Sequence, residues 1–211
     1  MNGDQMTSVR ARVPVPLGRT GSRLAELVTF NNLADPHEHL ACVFGPLRRL
    51  PMVRLHSECL TGDLFGSLRC DCGPQLDEAL GTLSAHGGVL LYLRQEGRGI
   101  GLYNKLDTYL IQDGDVDTFE ANRMLGRGSD ERDYLVAAQM LHALQIDEIC
   151  LITNNPDKLR QLQRYGIRVA SVMPTRTYVN PSNEGYLRAK AEIGGHRALL
   201  CGLRLPAAAE A

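Results

Sequence analysis

Two apolar runs, EICLIT at 148–153 and IRVASV at 167–172, enclose the stretch PDKLRQLQRYG, and this alternation constrains the fold more than any other feature of the chain. Short continuous apolar runs suit strands covered on both faces, while the stretch between them reads as a helix with Pro156 in its first turn. Strand, helix and strand in that order form a βαβ unit. The same grammar appears upstream. QLDEALGTLSAH places Leu76, Leu80 and Leu83 on one helical face, Gly87 and Gly88 stop it, and the apolar run VLLYL follows. Residues 75–175 therefore predict a layered α/β sheet. Ligands bind such sheets at the carboxyl ends of the strands, where RQEGRGIG and TNNPDK stand.

The first third reads as mostly β. RARVPVPLG alternates apolar and polar residues and carries prolines, as an edge strand does, and ELVTF, LACVFG and PMVRLHS follow as further strands. NKLDTYLIQ, the segment around DTFEANRML, and YLVAAQMLHAL read as helices, the last with Ser129 or Asp130 placed to cap it. The expected class is α/β: a layered mixed sheet with flanking helices and a β-rich N-terminal third. The expected organisation is a single domain over 1–211, with 1–9 and 206–211 as disordered tails.

A chain of 211 residues, 44% hydrophobic and 22% charged, buries a full core without staples. Its net charge of -1 argues against a general nucleic-acid surface, and no apolar run approaches the roughly 18 residues of a membrane span. With no secretory leader pattern, the cytoplasm is the expected compartment. Thiols there bind metals more often than each other. Of the six cysteines, Cys42, Cys150 and Cys201 are scattered, while Cys59, Cys70 and Cys72 share one short window.

Thiolate is a ligand zinc prefers, and a loop returning Cys59 to a Cys-x-Cys pair supplies three corners of a tetrahedron. Three readings stay open on spacing alone. Water could fill the fourth corner and ionise near neutral pH, giving a catalytic site. His56 could close it as a structural Cys₃His zinc. The cysteines could also be buried without metal.

The glycines of RQEGRGIGL let backbone approach an anion, and the loop adds Glu96 and Arg98. A carboxylate can accept from N1–H and the 2-amino group of guanine, and an arginine can clamp a phosphate; on these residues alone a solvated ion-paired loop is the favoured account. In SDERDY the helix dipole accounts for Asp130 and Glu131 but not for Arg132, which could meet a triphosphate. Tyr109, on a helix otherwise apolar on one side, is read from its position as core before site.

Taken together, CLTGDLFGSLRCDCG, RQEGRGIGL, DTFEAN, SDERDY and TNNPDK, in this order and at these separations, resemble the GTP cyclohydrolase II family over residues 10–196. The resemblance implies Cys59, Cys70 and Cys72 as zinc ligands. It implies a nucleotide site from Arg54, Leu55, His56, Ser57, Glu58, Gln75, Glu96, Gly97, Arg98, Thr118, Thr153 and Lys158. It makes Asp130 a general base, Arg132 a nucleophile toward the α-phosphate, and Tyr109 a neighbour of the reacting base. Guanidinium is a poor nucleophile, so Arg132 could instead stabilise the phosphoryl transition state.

The implied reaction opens the imidazole ring of GTP with Zn²⁺ and Mg²⁺, releases formate and pyrophosphate, and begins riboflavin biosynthesis in a homodimer. A variant stopping at the formamide stays open. Leu93 stands where the family often has histidine. Two rivals remain: a zinc nucleobase deaminase, suggested by His56-x-Glu58 ahead of two cysteines, and a GTP-binding module with a saturated structural zinc.

Overall fold

The computed structural model describes residues 6–18, 23–112, 126, 128, 130–185 and 187–188. Strands β1 (Ser8–Leu17), β2 (Arg23–Asn31), β3 (Leu40–Phe44) and β4 (Met52–Ser57) lead into a one-turn helix α1 (Leu60–Asp63) and then α2 (Cys72–His86). Next come β5 (Gly88–Leu93), a 3₁₀ turn over Glu96–Gly99 and α3 (Leu102–Gln112). The chain continues through α4 (Leu135–Ala143), β6 (Glu148–Ile152), α5 (Pro156–Arg164) and β7 (Arg168–Met173).

All seven strands form one mixed sheet in the order β1-β2-β3-β5-β4-β6-β7. The first half pairs antiparallel and the β5-β4-β6-β7 half parallel, as the expected βαβ unit requires. Strand alternation divides the core between two faces. Val89, Leu91 and Leu93 of β5 pack with Leu55 of β4 and with Tyr134, Met140 and Leu141 at α4. Leu90 faces the other way, onto Leu76, Ala79, Leu80 and Leu83 of α2. Leu93 is fully buried and belongs to this core.

Three local expectations change. β1 begins at Ser8, inside the stretch expected to fray, because Ser8 pairs with Asn31 and Thr7 Oγ1 donates to Asn32 O at 2.8 Å. Helix α2 starts at Cys72 and not at Gln75, which makes the last cysteine part of the helix. The carboxylate meeting the start of α4 belongs to Asp133, which accepts from Leu135 N–H at 2.8 Å. Asp130 cannot cap it, since Arg132 occupies its carboxylate. Ser129, Cys201, the whole DTFEANRML segment with Thr118, and 206–211 lie outside the described residues.

Candidate active site and metal centre

The carboxyl ends of β4 and β5 deliver the site. Beyond Ser57 the chain passes Glu58 and Cys59 into α1, and beyond Leu93 it enters the Gly-rich turn. Between them lies an open cleft with a cavity volume of about 110 Å³. Its lining includes Cys59, Cys70, Cys72, Glu96, Arg98 and Arg132, joined by Ser57, Glu58, Gly97 and Tyr109.

The three thiols converge with their sulfurs within 4.8 Å of one another, Cys59 and Cys70 at 3.6 Å, and none is in a disulfide. Local packing explains why. A Cβ on Gly62 would lie 2.9 Å from Cys70 Sγ and 3.1 Å from Cys59 Sγ, and one on Gly73 would lie 2.5 Å from Gly62 O. Only glycine lets α1 and the start of α2 close on the sulfurs this tightly. Hydrogen bonds from the Cys70 and Cys72 thiols, against the cost of burial and with help from Lys105, hold Cys59 as a thiolate far below the usual thiol range. The same contacts push Cys70 up to about 11 and Cys72 well above its ordinary value. Three thiolates at this distance repel, so a soft divalent cation fits the donor set.

His56 is not part of this cluster. Its Nε2 lies 3.0 Å from both carboxylate oxygens of Asp63, and its ring stacks on Tyr92 at 5.6 Å. Asp63 also accepts from Tyr92 OH at 2.9 Å and from Cys59 N–H at 3.1 Å. The histidine thus supports the loop that carries Cys59. Among the described residues the metal-type cluster comprises the three cysteines alone, which counts against the Cys₃His closure.

The Gly-rich loop is held in an unusual shape. Gly97 and Arg98 both sit in the left-handed region, at φ of 63° and 62°. Strain of this kind gathers at functional loops. Arg98 O accepts from Glu131 N–H at 2.9 Å, and a Cβ on Gly99 would meet Glu131 at 3.0 Å. This docking brings Asp130 and Arg132 to the cleft. Arg132 Nε donates to Asp130 Oδ1 at 2.8 Å, Nη2 pairs with Oδ2, and Nη1 reaches Ser57 Oγ at 3.5 Å. Burial would raise the Asp130 carboxyl, but Arg132 outweighs it and holds it below the ordinary value.

The remaining expected residues separate from the cleft. Leu55 is a core side chain whose carbonyl accepts from Lys158 Nζ at 2.8 Å. Arg54 is buried, donating to Gln75 Oε1 at 3.0 Å and Ile152 O at 3.3 Å. Thr153 Oγ1 accepts from Asn155 N–H at 3.0 Å at the start of α5. Glu58, by contrast, stays on the cleft wall, where it accepts from Arg94 Nε at 2.8 Å.

With this geometry in place, comparison with known proteins is decisive. The GTP cyclohydrolase II family model matches residues 7–174. The GTP cyclohydrolase-2 of Psychromonas ingrahamii is 49% identical over 194 residues, covering 90% of this chain and 97% of its own. The chain belongs to the GTP cyclohydrolase II family. Another member, the GTP cyclohydrolase-2 of Aliivibrio fischeri, is 50% identical over 192 residues, 90% of this chain and 96% of its own. A third, from Azospirillum brasilense, is 52% identical over 189 residues, 88% of this chain and 48% of its own, so this chain spans about half of that relative.

Within this family member the structure adds residues that sequence reading passed over. Lys105 projects from α3 one turn before Tyr109 and contacts Cys59 Sγ at 3.1 Å, Thr61 Oγ1 at 3.0 Å and Glu96 Oε1 at 2.8 Å. Its signal was available: it is one of three lysines among 23 basic residues, at helical i,i+4 spacing from Tyr109. Arg69 lies 4.8 Å over the Tyr109 ring, whose hydroxyl is 3.4 Å from Thr61 Oγ1.

Proposed function

We propose that this chain, as a single cytoplasmic domain in a homodimer, is a zinc-dependent hydrolase that opens the imidazole ring of GTP and releases formate and pyrophosphate. The product is 2,5-diamino-6-(5-phosphoribosylamino)pyrimidin-4-one, at the head of riboflavin biosynthesis. One observation carries the reading: three free thiols meet in a cleft that also holds Arg98 and Arg132.

Cys59, Cys70 and Cys72 would hold the zinc, which when bound supplies the Lewis acidity that brings water ionisation close to neutral pH. Formate release requires hydrolysis of both C–N bonds to C8 of guanine. That carbon must therefore face the sulfurs, with Tyr109 as the neighbouring wall. Arg98 and Arg132 supply positive charge for a triphosphate that arrives with Mg²⁺. A guanidinium held at two points by an ionised carboxylate keeps its proton. This favours Arg132 as a stabiliser of charge at the α-phosphate over Arg132 as a nucleophile.

Incubation with GTP and Mg²⁺, following formate, pyrophosphate and the absorbance of the opened base, tests the reading. Zinc chelation and Cys70→Ser should each stop formate release, with circular dichroism largely retained in the variant. Formate release surviving either treatment refutes the metal assignment. Pyrophosphate without formate identifies an enzyme that stops at the formamide.

A further inference from the structure

We propose that Lys105 is a positioning residue for the metal, fixing the Cys59 thiolate and cancelling the excess charge of a three-thiolate site. The proposal rests on the zinc reading of the thiol triangle given above.

A divalent cation held by three thiolates carries a net charge of about -1, costly in a partly dry cleft. Lys105 is the cation placed to offset it. Its Nζ lies 3.1 Å from Cys59 Sγ, and its side chain is 12% exposed. Its other two contacts fix its position. Glu96 Oε1 accepts from Lys105 at 2.8 Å, while Glu96 Oε2 accepts from Leu60 N–H at 2.6 Å at the start of α1. Thr61 Oγ1, 3.0 Å from Nζ, lies on the same turn.

One carboxylate thus ties the lysine to the turn that carries Cys59. Three acceptors match the three donors of an ammonium, whereas the planar guanidinium fork of arginine cannot reproduce that array. Donation to sulfur also withdraws electron density from the thiolate, which leaves the metal the stronger Lewis acid. Outer-shell partners of this kind commonly tune metal affinity by roughly 10–100-fold. Glu96, expected to read guanine, has both oxygens engaged in this support.

Cobalt(II) reads the metal–sulfur bond through its charge-transfer absorption. Wild type, Lys105→Met, Lys105→Gln and Lys105→Arg are stripped of metal and titrated with cobalt against a competing chelator. Lys105→Met should bind about 10–100-fold more weakly, with its charge-transfer band at lower energy. Lys105→Arg, which restores the charge but not the three-point array, should recover only part of both losses. Should the methionine variant fail to fold by circular dichroism, Lys105→Gln carries the comparison and should shift in the same direction. Affinity and band equal to wild type in these variants overturn the role of Lys105 alone. Wild type that takes up no thiolate-bound cobalt overturns the metal reading itself.

Discussion

Gly62 offers a way to disturb the proposed metal centre with all three cysteines left in place. An alanine methyl there would stand 2.9 Å from Cys70 Sγ, 3.1 Å from Cys59 Sγ and 3.1 Å from Cys72 Cβ. Favourable contacts between such atoms lie near ~3.5–4.0 Å, so the neighbours must yield by roughly 0.5–1 Å. Overpacking of this size costs about 1–3 kcal/mol. While the sulfurs are free they can rotate away from the methyl; once a metal pins them they cannot, so the cost falls on the metal-bound state. At about 1.4 kcal/mol per tenfold, zinc affinity should drop roughly 5–150-fold. Alanine is also the better helix former by up to about 1 kcal/mol, and in a single turn that gain only partly offsets the clash in the chelated protein. Competition with a chromophoric chelator measures the affinity, and thermal melting with and without zinc separates the two contributions. The stabilisation conferred by zinc should shrink while the chelated protein melts close to wild type. Zinc affinity equal to wild type would refute the claim that this close approach shapes the triangle.

Two further outcomes are expected. Arg132→Ala removes the guanidinium held by Asp130 beside Ser57, and pyrophosphate release should fall by about 10³–10⁵-fold with zinc content unchanged, checked by single-turnover kinetics and metal analysis. Unimpaired pyrophosphate release would take Arg132 out of the phosphoryl chemistry. Burial lowers the His39 pKa below its ordinary 6.5, only partly opposed by the hydrogen bond to Asp35. The unfolded chain therefore binds a proton that the folded chain refuses, and stability present above 6.5 is lost as the pH falls below it. Urea unfolding between neutral pH and about pH 5 should show that loss, and His39→Asn should flatten it; an unchanged slope in the variant would exclude His39 as its source.

Short-range pattern made much of this molecule legible. The apolar runs that became β5, β6 and β7, the face of Leu76, Leu80 and Leu83, and Pro156 opening a helix all express local periodicity, which a linear chain displays directly. The thiol triangle was legible for the same reason, since a loop from Cys59 to Cys70 and Cys72 can close on itself. Partner choice was another matter. Whether His56 met the thiols or a carboxylate depended on where α1 placed Asp63, and nothing in the spacing of RLHSEC sets that. Alternation along β4 sent Leu55 into the core and Arg54 toward Gln75, although both stood in the same expected nucleotide segment. Lys105 reached Cys59 across 46 positions only because β5 lies beside β4 and the Gly-rich turn leads into α3. Sequence alone determined the elements and the soft donor set, because both arise from near neighbours in the chain. Tertiary structure decided which charges face those donors, because sheet order brings distant side chains within hydrogen-bonding reach.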